Sequence, residues 1–209
     1  MRYLRAGSAL TSLVRVTDIS EQKTAIRKTL RKARQEHAAA LPSAVSALVF
    51  RAPPAPVREI IPAGATIGLY RAGKGEAPAG GYARYFMEAG HTIALPRIAS
   101  LDEPMQFHEH TDPYGESDLT QGRMGLMQPA AAARVVEPDV LFVPLVGFTE
   151  RGDRIGQGGG FYDRWLAAHP DTLAIGLAWD VQRVDSLPTA DHDMALSLVI
   201  TPTRIYGPF

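Results

Sequence analysis

The sequence predicts an α/β fold built on a mostly parallel sheet with both faces covered. Strand and helix signals alternate along most of the chain, the apolar runs stay short, and the densest glycine cluster falls between an apolar strand and a helix. Asp18-Ile-Ser-Glu21 is suited to cap a helix whose apolar stripe is Ile26, Leu30 and Ala33. A second short helix is expected from Pro42 through Phe50, after which Arg51-Ala-Pro-Pro-Ala-Pro56 breaks the chain. Thr66 to Tyr70 reads as a buried strand, Gly81 to Ala89 as a helix closed by Gly90, and Thr92 to Leu95 as the next strand, which makes a βαβ unit. Strands follow at Met105 to His108 and Asp139 to Val146, then a helix at Tyr162 to Ala168, then strands at Leu173 to Ala178 and Leu196 to Ile200. In such a fold ligands bind at the carboxyl ends of the strands.

Composition narrows the function. The formal net charge of +0 argues against a globally basic nucleic-acid binder. With Cys 0, thiol catalysis, thiolate metal sites and disulfides are excluded. No apolar run approaches the roughly 20 residues needed to span a bilayer. Met1 to Thr17 carries Arg2, Arg5 and Arg15, but Gly7, Ser8 and Ser12 break its apolar stretches, so it lacks a signal-peptide core. The expectation is a cytoplasmic monomer with no nucleic-acid or membrane partner. Residues 1–19 would form a flexible extension and residues 20–209 a single domain.

The chemistry concentrates in two places. Arg154-Ile-Gly-Gln-Gly-Gly-Gly-Phe-Tyr-Asp163 follows an apolar strand and leads into a helix. Gly156, Gly158, Gly159 and Gly160 free the backbone N–H groups to converge on phosphate oxygens at a helix N-terminus, and Arg154 at the mouth of the loop adds a forked, permanently charged donor. The spacing is neither the P-loop lysine motif nor the dinucleotide fingerprint, and a plain flexible loop is the competing reading. In the first helix Lys23, Arg27 and Arg31 recur at i, i+4 spacing with Arg34 beyond, on a face expected opposite the apolar stripe. Such a stripe suits a polyphosphate; a solvated basic face is the alternative.

Other clusters carry less. His108-Glu-His110 with Asp112 has metal-ligand residue types, but an exposed sheet edge explains alternate histidines better. In Asp191-His192-Asp193 neighbouring side chains diverge, which leaves His192 a structural or supporting role. Trp165 and Trp179 read as core anchors, and no Gly-x-Ser-x-Gly elbow supports a hydrolase.

Lys23-Thr-Ala-Ile-Arg27, Leu69-Tyr-Arg-Ala-Gly-Lys-Gly-Glu76, Leu95-Pro-Arg97 and the long run from Pro144 through Arg164 resemble the 5-formyltetrahydrofolate cyclo-ligase family, also called methenyltetrahydrofolate synthetases. The ordered match runs from about Lys23 to Thr201. The resemblance implies a three-layer αβα sandwich and an ATP- and Mg²⁺-dependent cyclisation of 5-formyltetrahydrofolate to 5,10-methenyltetrahydrofolate. ATP phosphorylates the formyl oxygen, nitrogen 10 attacks the activated carbon, and ADP and phosphate are released. It implies that Lys23 and Arg27 hold ATP phosphates, and that Arg154, Gly156, Gln157, Gly158, Gly159, Gly160, Phe161 and Tyr162 form the nucleotide site, with Arg154 also catalytic. Asp163 and Asp193 match magnesium-associated carboxylates, Glu76 an acid facing the folate, and Arg71 a neighbouring substrate contact. Met124 stands where an aromatic residue commonly stacks on the pterin. Gln157 and Gly159 stand where basic residues are common, which shifts phosphate binding on to backbone amides and Arg154.

Catalysis of this kind rests on alignment and electrostatic stabilisation and needs no covalent enzyme intermediate. Two other functions remain open at this point. One is a non-catalytic folate- or nucleotide-binding relative. The other is an RNA-binding protein using the basic helix, which lacks interleaved basic and aromatic residues elsewhere.

Overall fold

The computed structural model describes residues 18–209, apart from residues 43, 44, 46, 47, 123 and 124. Alternation along the strands divides its core in two. In the strand Val140–Pro144 (β6), Val140 and Phe142 pack to one side while Leu141 and Val143 pack to the other. Leu173–Leu177 (β9) and Leu198–Ile200 (β10) repeat the division, with Ile175, Leu177, Leu198 and Ile200 on the first side and Ala174 and Val199 on the second. Both faces are buried because side chains of successive strand residues point oppositely and each set has its own helical cover.

These strands join Thr66–Gly68 (β1), Thr92–Arg97 (β2), Gln106–Glu109 (β3) and Ile205–Tyr206 (β11) in a seven-stranded sheet of order β11-β10-β9-β6-β1-β2-β3. Its interior pairings, β10 to β9, β9 to β6, β6 to β1 and β1 to β2, are parallel, while β3 and β11 add antiparallel edges. From β1 the chain moves towards β2, through the helix Gly80–Glu88 (α3); from β6 it moves the other way to β9, through Phe161–Ala168 (α4). Crossovers of one hand running in opposite directions put their helices on opposite faces. Accordingly Tyr82, Ala83 and Phe86 of α3 join the first core, and Trp165 and Leu166 of α4 join the second. The α/β class and the layered architecture expected from the sequence are those observed, and the order of strands reverses between β1 and β6.

The long first helix, Ile19–Ala40 (α1), is capped by Asp18, whose side chain accepts from the Ser20 N–H at 3.3 Å. Its inward face overturns one expectation. Lys23, Leu30 and Arg34 are its buried residues, so the cations share the inward face with the apolar stripe instead of opposing it. Within the stretch expected to break the chain, Pro54 caps a short helix at Ala55–Glu59 (α2) that buries Val57. The helix expected over Pro42–Phe50 lies partly outside the described residues; Leu48 to Phe50 form a turn. The extension expected at residues 1–19 lies almost wholly outside them.

The histidine cluster is also corrected. His108 and His110 are buried, with His108 Nδ1 2.8 Å from the Ala133 carbonyl and His110 Nδ1 2.9 Å from Asp118. Although β3 is an edge strand, the segment Arg134–Val136 covers it through Glu109 N–H to Arg134 O and Val136 N–H to Phe107 O, which removes the exposed edge. No helix among the described residues is long and apolar enough to cross a membrane.

Candidate active site

A cavity of about 920 Å³ opens at the carboxyl ends of β1, β2 and β6, where the strand order reverses. Tyr70 and Arg71 follow β1 into it, Leu95 and Pro96 line it from β2 and Ile98 from just beyond, and Pro144 ends β6 at its wall. In open α/β sheets this reversal leaves a crevice, because the connections on its two sides run apart.

Between β6 and the glycine loop lies an antiparallel hairpin, Gly147–Phe148 (β7) with Arg154–Ile155 (β8). Arg154 is therefore a strand residue, not a free donor at the loop mouth. It is 6% exposed, and its Nη2 donates to Asp163 Oδ1 at 2.7 Å while its Nε finds no hydrogen-bond partner. Burial pulls the guanidinium below its ordinary pKa, against the Asp163 and Asp193 carboxylates that favour its charge. An arginine remains protonated under such pressure, so a cation is held at a fixed point with its buried Nε–H unpaired.

The loop itself needs glycine at two positions. Gly158 has φ +107° and Gly160, which precedes the first turn of α4, has φ +64°, in the left-handed region that side chains with a Cβ rarely adopt. The carbonyls of Gly156 and Gln157 turn towards α1, where Arg27 Nε donates to Gly156 O at 2.9 Å and Arg31 Nη2 to Gln157 O at 2.7 Å. Burial, and then the like charge of Arg31, lower the Arg27 pKa, opposed by Asp193 and Asp163.

Lys23 is buried and pairs with Asp193, whose Oδ2 also accepts from the Ala190 N–H at 2.7 Å. Burial works to raise the Asp193 pKa, yet the Lys23 and Ala190 hydrogen bonds prevail and hold it below the ordinary carboxylate value. Asp163 is built alike: its Oδ1 accepts from Arg154 and, at 3.1 Å, from the Met194 N–H. In each carboxylate the donors named here meet a single oxygen. His192 lines the cavity with an exposed side chain, its Nε2 3.9 Å from Asp193 Oδ1.

Glu76 sits on the connection between β1 and α3. Its Oε2 accepts from the Gly73 N–H at 2.8 Å, and its Oε1 accepts from Gln157 Nε2 at 2.9 Å and Arg34 Nη1 at 3.3 Å. Arg34 is 3% exposed and also donates to Leu145 O at 3.2 Å. Arg71 pairs with Glu116 at 2.9 Å. Tyr162 lines the cavity with its hydroxyl pKa raised well above the ordinary value, by burial first and then by the charge of Glu76. The same cavity is also lined by Leu95, Pro96, Ile98, Met105, Leu126 and Met127.

Lys23, Arg27, Arg71, Glu76, Arg154, Gly156 through Gly160, Phe161, Tyr162, Asp163 and Asp193, all singled out from the sequence, thus line one cavity. Met124 lies outside the described residues. Arg31 and Arg34, which the i, i+4 stripe offered with Lys23 and Arg27 as polyphosphate ligands, are instead engaged by Gln157 and by Glu76 and Leu145 O. The apolar wall carried no sequence signal, since its residues come from separate elements.

Comparison with known proteins agrees with this geometry. A family model described as the 5-formyltetrahydrofolate cyclo-ligase family matches residues 19–202. The chain belongs to this family. It is 33% identical over 147 residues to the 5-formyltetrahydrofolate cyclo-ligase of Escherichia coli strain K12, an overlap of 68% of this chain and 80% of that one. A relative of the same name from Mycolicibacterium smegmatis is 32% identical over 127 residues, covering 56% of this chain and 63% of the relative. Among solved structures, the 5,10-methenyltetrahydrofolate synthetase of Aquifex aeolicus superposes with TM-score 0.68 at 23% identity, covering 89% of this chain and 92% of that one. The Mycoplasma pneumoniae synthetase gives TM-score 0.62 at 24% identity, covering 85% and 97%. At these identities the two structures speak for the fold.

Proposed function

We propose that the cavity carries out the ATP-dependent cyclisation of 5-formyltetrahydrofolate to 5,10-methenyltetrahydrofolate. The observation that carries this reading is the meeting, in one cavity, of a buried cation set on α1 and β8, a glycine loop at a helix start, and an apolar wall. Small-molecule pockets run to about 1,000 Å³, so a cavity near the top of that range suits two substrates side by side.

In this reading Lys23 and Arg27 on α1 and the amides of Gly156 through Gly160 hold the ATP phosphates, with Gln157, Phe161 and Tyr162 completing that side. Arg154 aims its guanidinium at the transferring phosphoryl group, where charge accumulates in the transition state. Its rigid setting on β8 means little reorganisation is needed as the reaction proceeds. Glu76 orients the folate by accepting from it, and Arg71 lies beside that contact. The formyl oxygen takes the γ-phosphoryl group and ADP leaves; nitrogen 10 then attacks the formyl carbon, and phosphate departs as the ring closes. A formamide oxygen is a poor leaving group, and phosphorylation converts it into a good one.

Asp163 and Asp193 fit Mg²⁺ in donor chemistry: both offer hard oxygens at the cavity, and each is anchored through one oxygen. Among the described residues no group of three or more metal-binding side chains gathers, so a metal here would rest on one or two carboxylates with phosphate oxygens and waters, as Mg²⁺ usually does. When bound it would neutralise phosphate charge.

The deciding experiment incubates the protein with 5-formyltetrahydrofolate and follows the near-ultraviolet band of the methenyl product. The band is expected only with ATP and Mg²⁺ together, with one ADP and one phosphate per product. Product without nucleotide, or folate binding without turnover under every metal and nucleotide condition, overturns the reading.

A further inference from the structure

Gln157 joins the glycine loop to the β1–α3 connection. Its side-chain Oε1 accepts from Arg31 Nε at 2.8 Å, its backbone carbonyl accepts from Arg31 Nη2 at 2.7 Å, and its Nε2 donates to Glu76 Oε1 at 2.9 Å. A side-chain amide can usually be turned end for end, but here the partners allow one orientation: a guanidinium only donates and a carboxylate only accepts. Arg31 spends two arms of its fork on one residue, so it sets the loop backbone and the side chain together. Gln157 is exposed, so its place in this chain of contacts owes nothing to core packing. At the far end Glu76 is held by Gln157, by Arg34 and by the Gly73 amide, donors that occupy three of a carboxylate's roughly four acceptor positions. One position stays open to a ligand, and its direction depends on the other three.

We propose that Gln157, held by Arg31, couples the two substrate positions of the cavity, so that a nucleotide on the glycine loop raises the affinity for folate at Glu76, and folate raises the affinity for nucleotide by the same factor. The proposal rests on the cyclo-ligase reading. A ligand seated on the glycine loop favours the one Gln157 arrangement that Arg31 and Glu76 allow. In that arrangement Gln157 presents Glu76 in its receptive orientation, and the second ligand binds more tightly without touching the first. Arg31 and Gln157 act here as positioning residues.

The test is calorimetric titration of 5-formyltetrahydrofolate into the protein with and without a non-hydrolysable ATP analogue and Mg²⁺. For the unaltered chain the analogue should lower the folate Kd at least about fivefold, within the ordinary range of coupling between sites. Gln157→Ala and Arg31→Ala should bring the ratio of the two Kd values to within about twofold of one, and Arg31→Lys, which loses the fork, should fall between. A purely structural role would lower both affinities and leave their ratio alone. An unaltered ratio in Gln157→Ala, or a ratio of one in the unaltered chain that still turns over both substrates, overturns the coupling and spares the enzymatic reading. A chain that binds neither ligand overturns the enzymatic reading as well.

Discussion

The two walls of the cavity are built on opposite principles. On the wall formed by α1, β8 and the glycine loop, Lys23 meets Asp193, Arg154 meets Asp163 and Arg27 meets the Gly156 carbonyl. On the other wall Leu95, Pro96, Ile98, Met105, Leu126 and Met127 offer surface, and the amide of the nearby Gln128 is occupied by the backbone of Ile98 at 3.1 and 3.4 Å. A charged wall of this kind fails abruptly, because removing one member strands its partner out of water. An apolar wall fails by degrees, in proportion to the area lost. This difference orders the expected effects of substitution.

The largest effect is expected at Arg154. Arg154→Ala takes from Asp163 its hydrogen-bonded guanidinium and should cost about 3–5 kcal/mol of stability, read by denaturant unfolding, together with a fall in kcat of about 10²–10³-fold. Arg154→Lys keeps the charge but loses the planar fork, so kcat should fall more than affinity for ATP. An Arg154→Lys variant weakened in ATP binding alone would make Arg154 a binding group.

Next come Lys23→Ala and Arg27→Ala, each expected to weaken ATP binding by about 1.5–3 kcal/mol, roughly ten- to a hundredfold, with affinity for folate alone unchanged. Calorimetric ATP titration measures this. Unchanged affinity in both would mean that these cations only brace the loop and Asp193.

A third expectation separates the two carboxylate pairs from their cations. Asp163→Asn keeps the size and loses the charge, so its kinetic defect should be partly relieved by raising Mg²⁺, whereas that of Arg154→Lys should not. Full activity with ordinary magnesium dependence in Asp163→Asn would leave Asp163 as a helix-start carboxylate favoured by the dipole of α4.

A smaller effect concerns acid. Because the folded-state pKa of Asp193 lies below its unfolded value of about 3.9, its contribution to stability is complete above that value and is lost as pH falls through the lower folded value. Melting temperatures between about pH 5 and 2 should therefore show a shallower acid limb for Asp193→Asn than for the unaltered chain. Identical limbs would mean that the pairing with Lys23 does not favour the folded state.

The smallest effect belongs to the apolar wall. Leu126 is 54% exposed, so Leu126→Ala removes little buried area and should raise the KM for folate only about two- to fivefold, leaving the KM for ATP unchanged. A hundredfold loss would show that the apolar wall is as intolerant as the charged one.

Much of the fold was legible because its signals are local. Apolar runs announced β1, β2, β6, β9 and β10 to within a few residues, and glycine spacing announced the loop before α4. The strands missed, Leu119–Gln121 (β4), Met127–Pro129 (β5), β7, β8 and β11, have only two or three residues each and none forms an apolar run of its own, as equally short β1 and β10 do with their neighbours. The antiparallel direction of β3 was hidden for another reason: a strand's own residues do not say which way its neighbour runs.

By itself the sequence determined the alternation of elements, the glycine loop, and the residue types from which a phosphate site can be made, since each depends on neighbours along the chain. Only the tertiary structure decided what those residues face. Lys23 lies 170 positions from Asp193, and Gln157 lies 81 from Glu76, so no periodicity within α1 or the loop could record either pairing. The same holds for the inward turn of the α1 cations, the burial of His108 and His110, and the place of Arg154 on a strand. A helix stripe read alone assigns charge to water, whereas inside the fold a carboxylate or carbonyl from a distant segment makes the buried position tolerable.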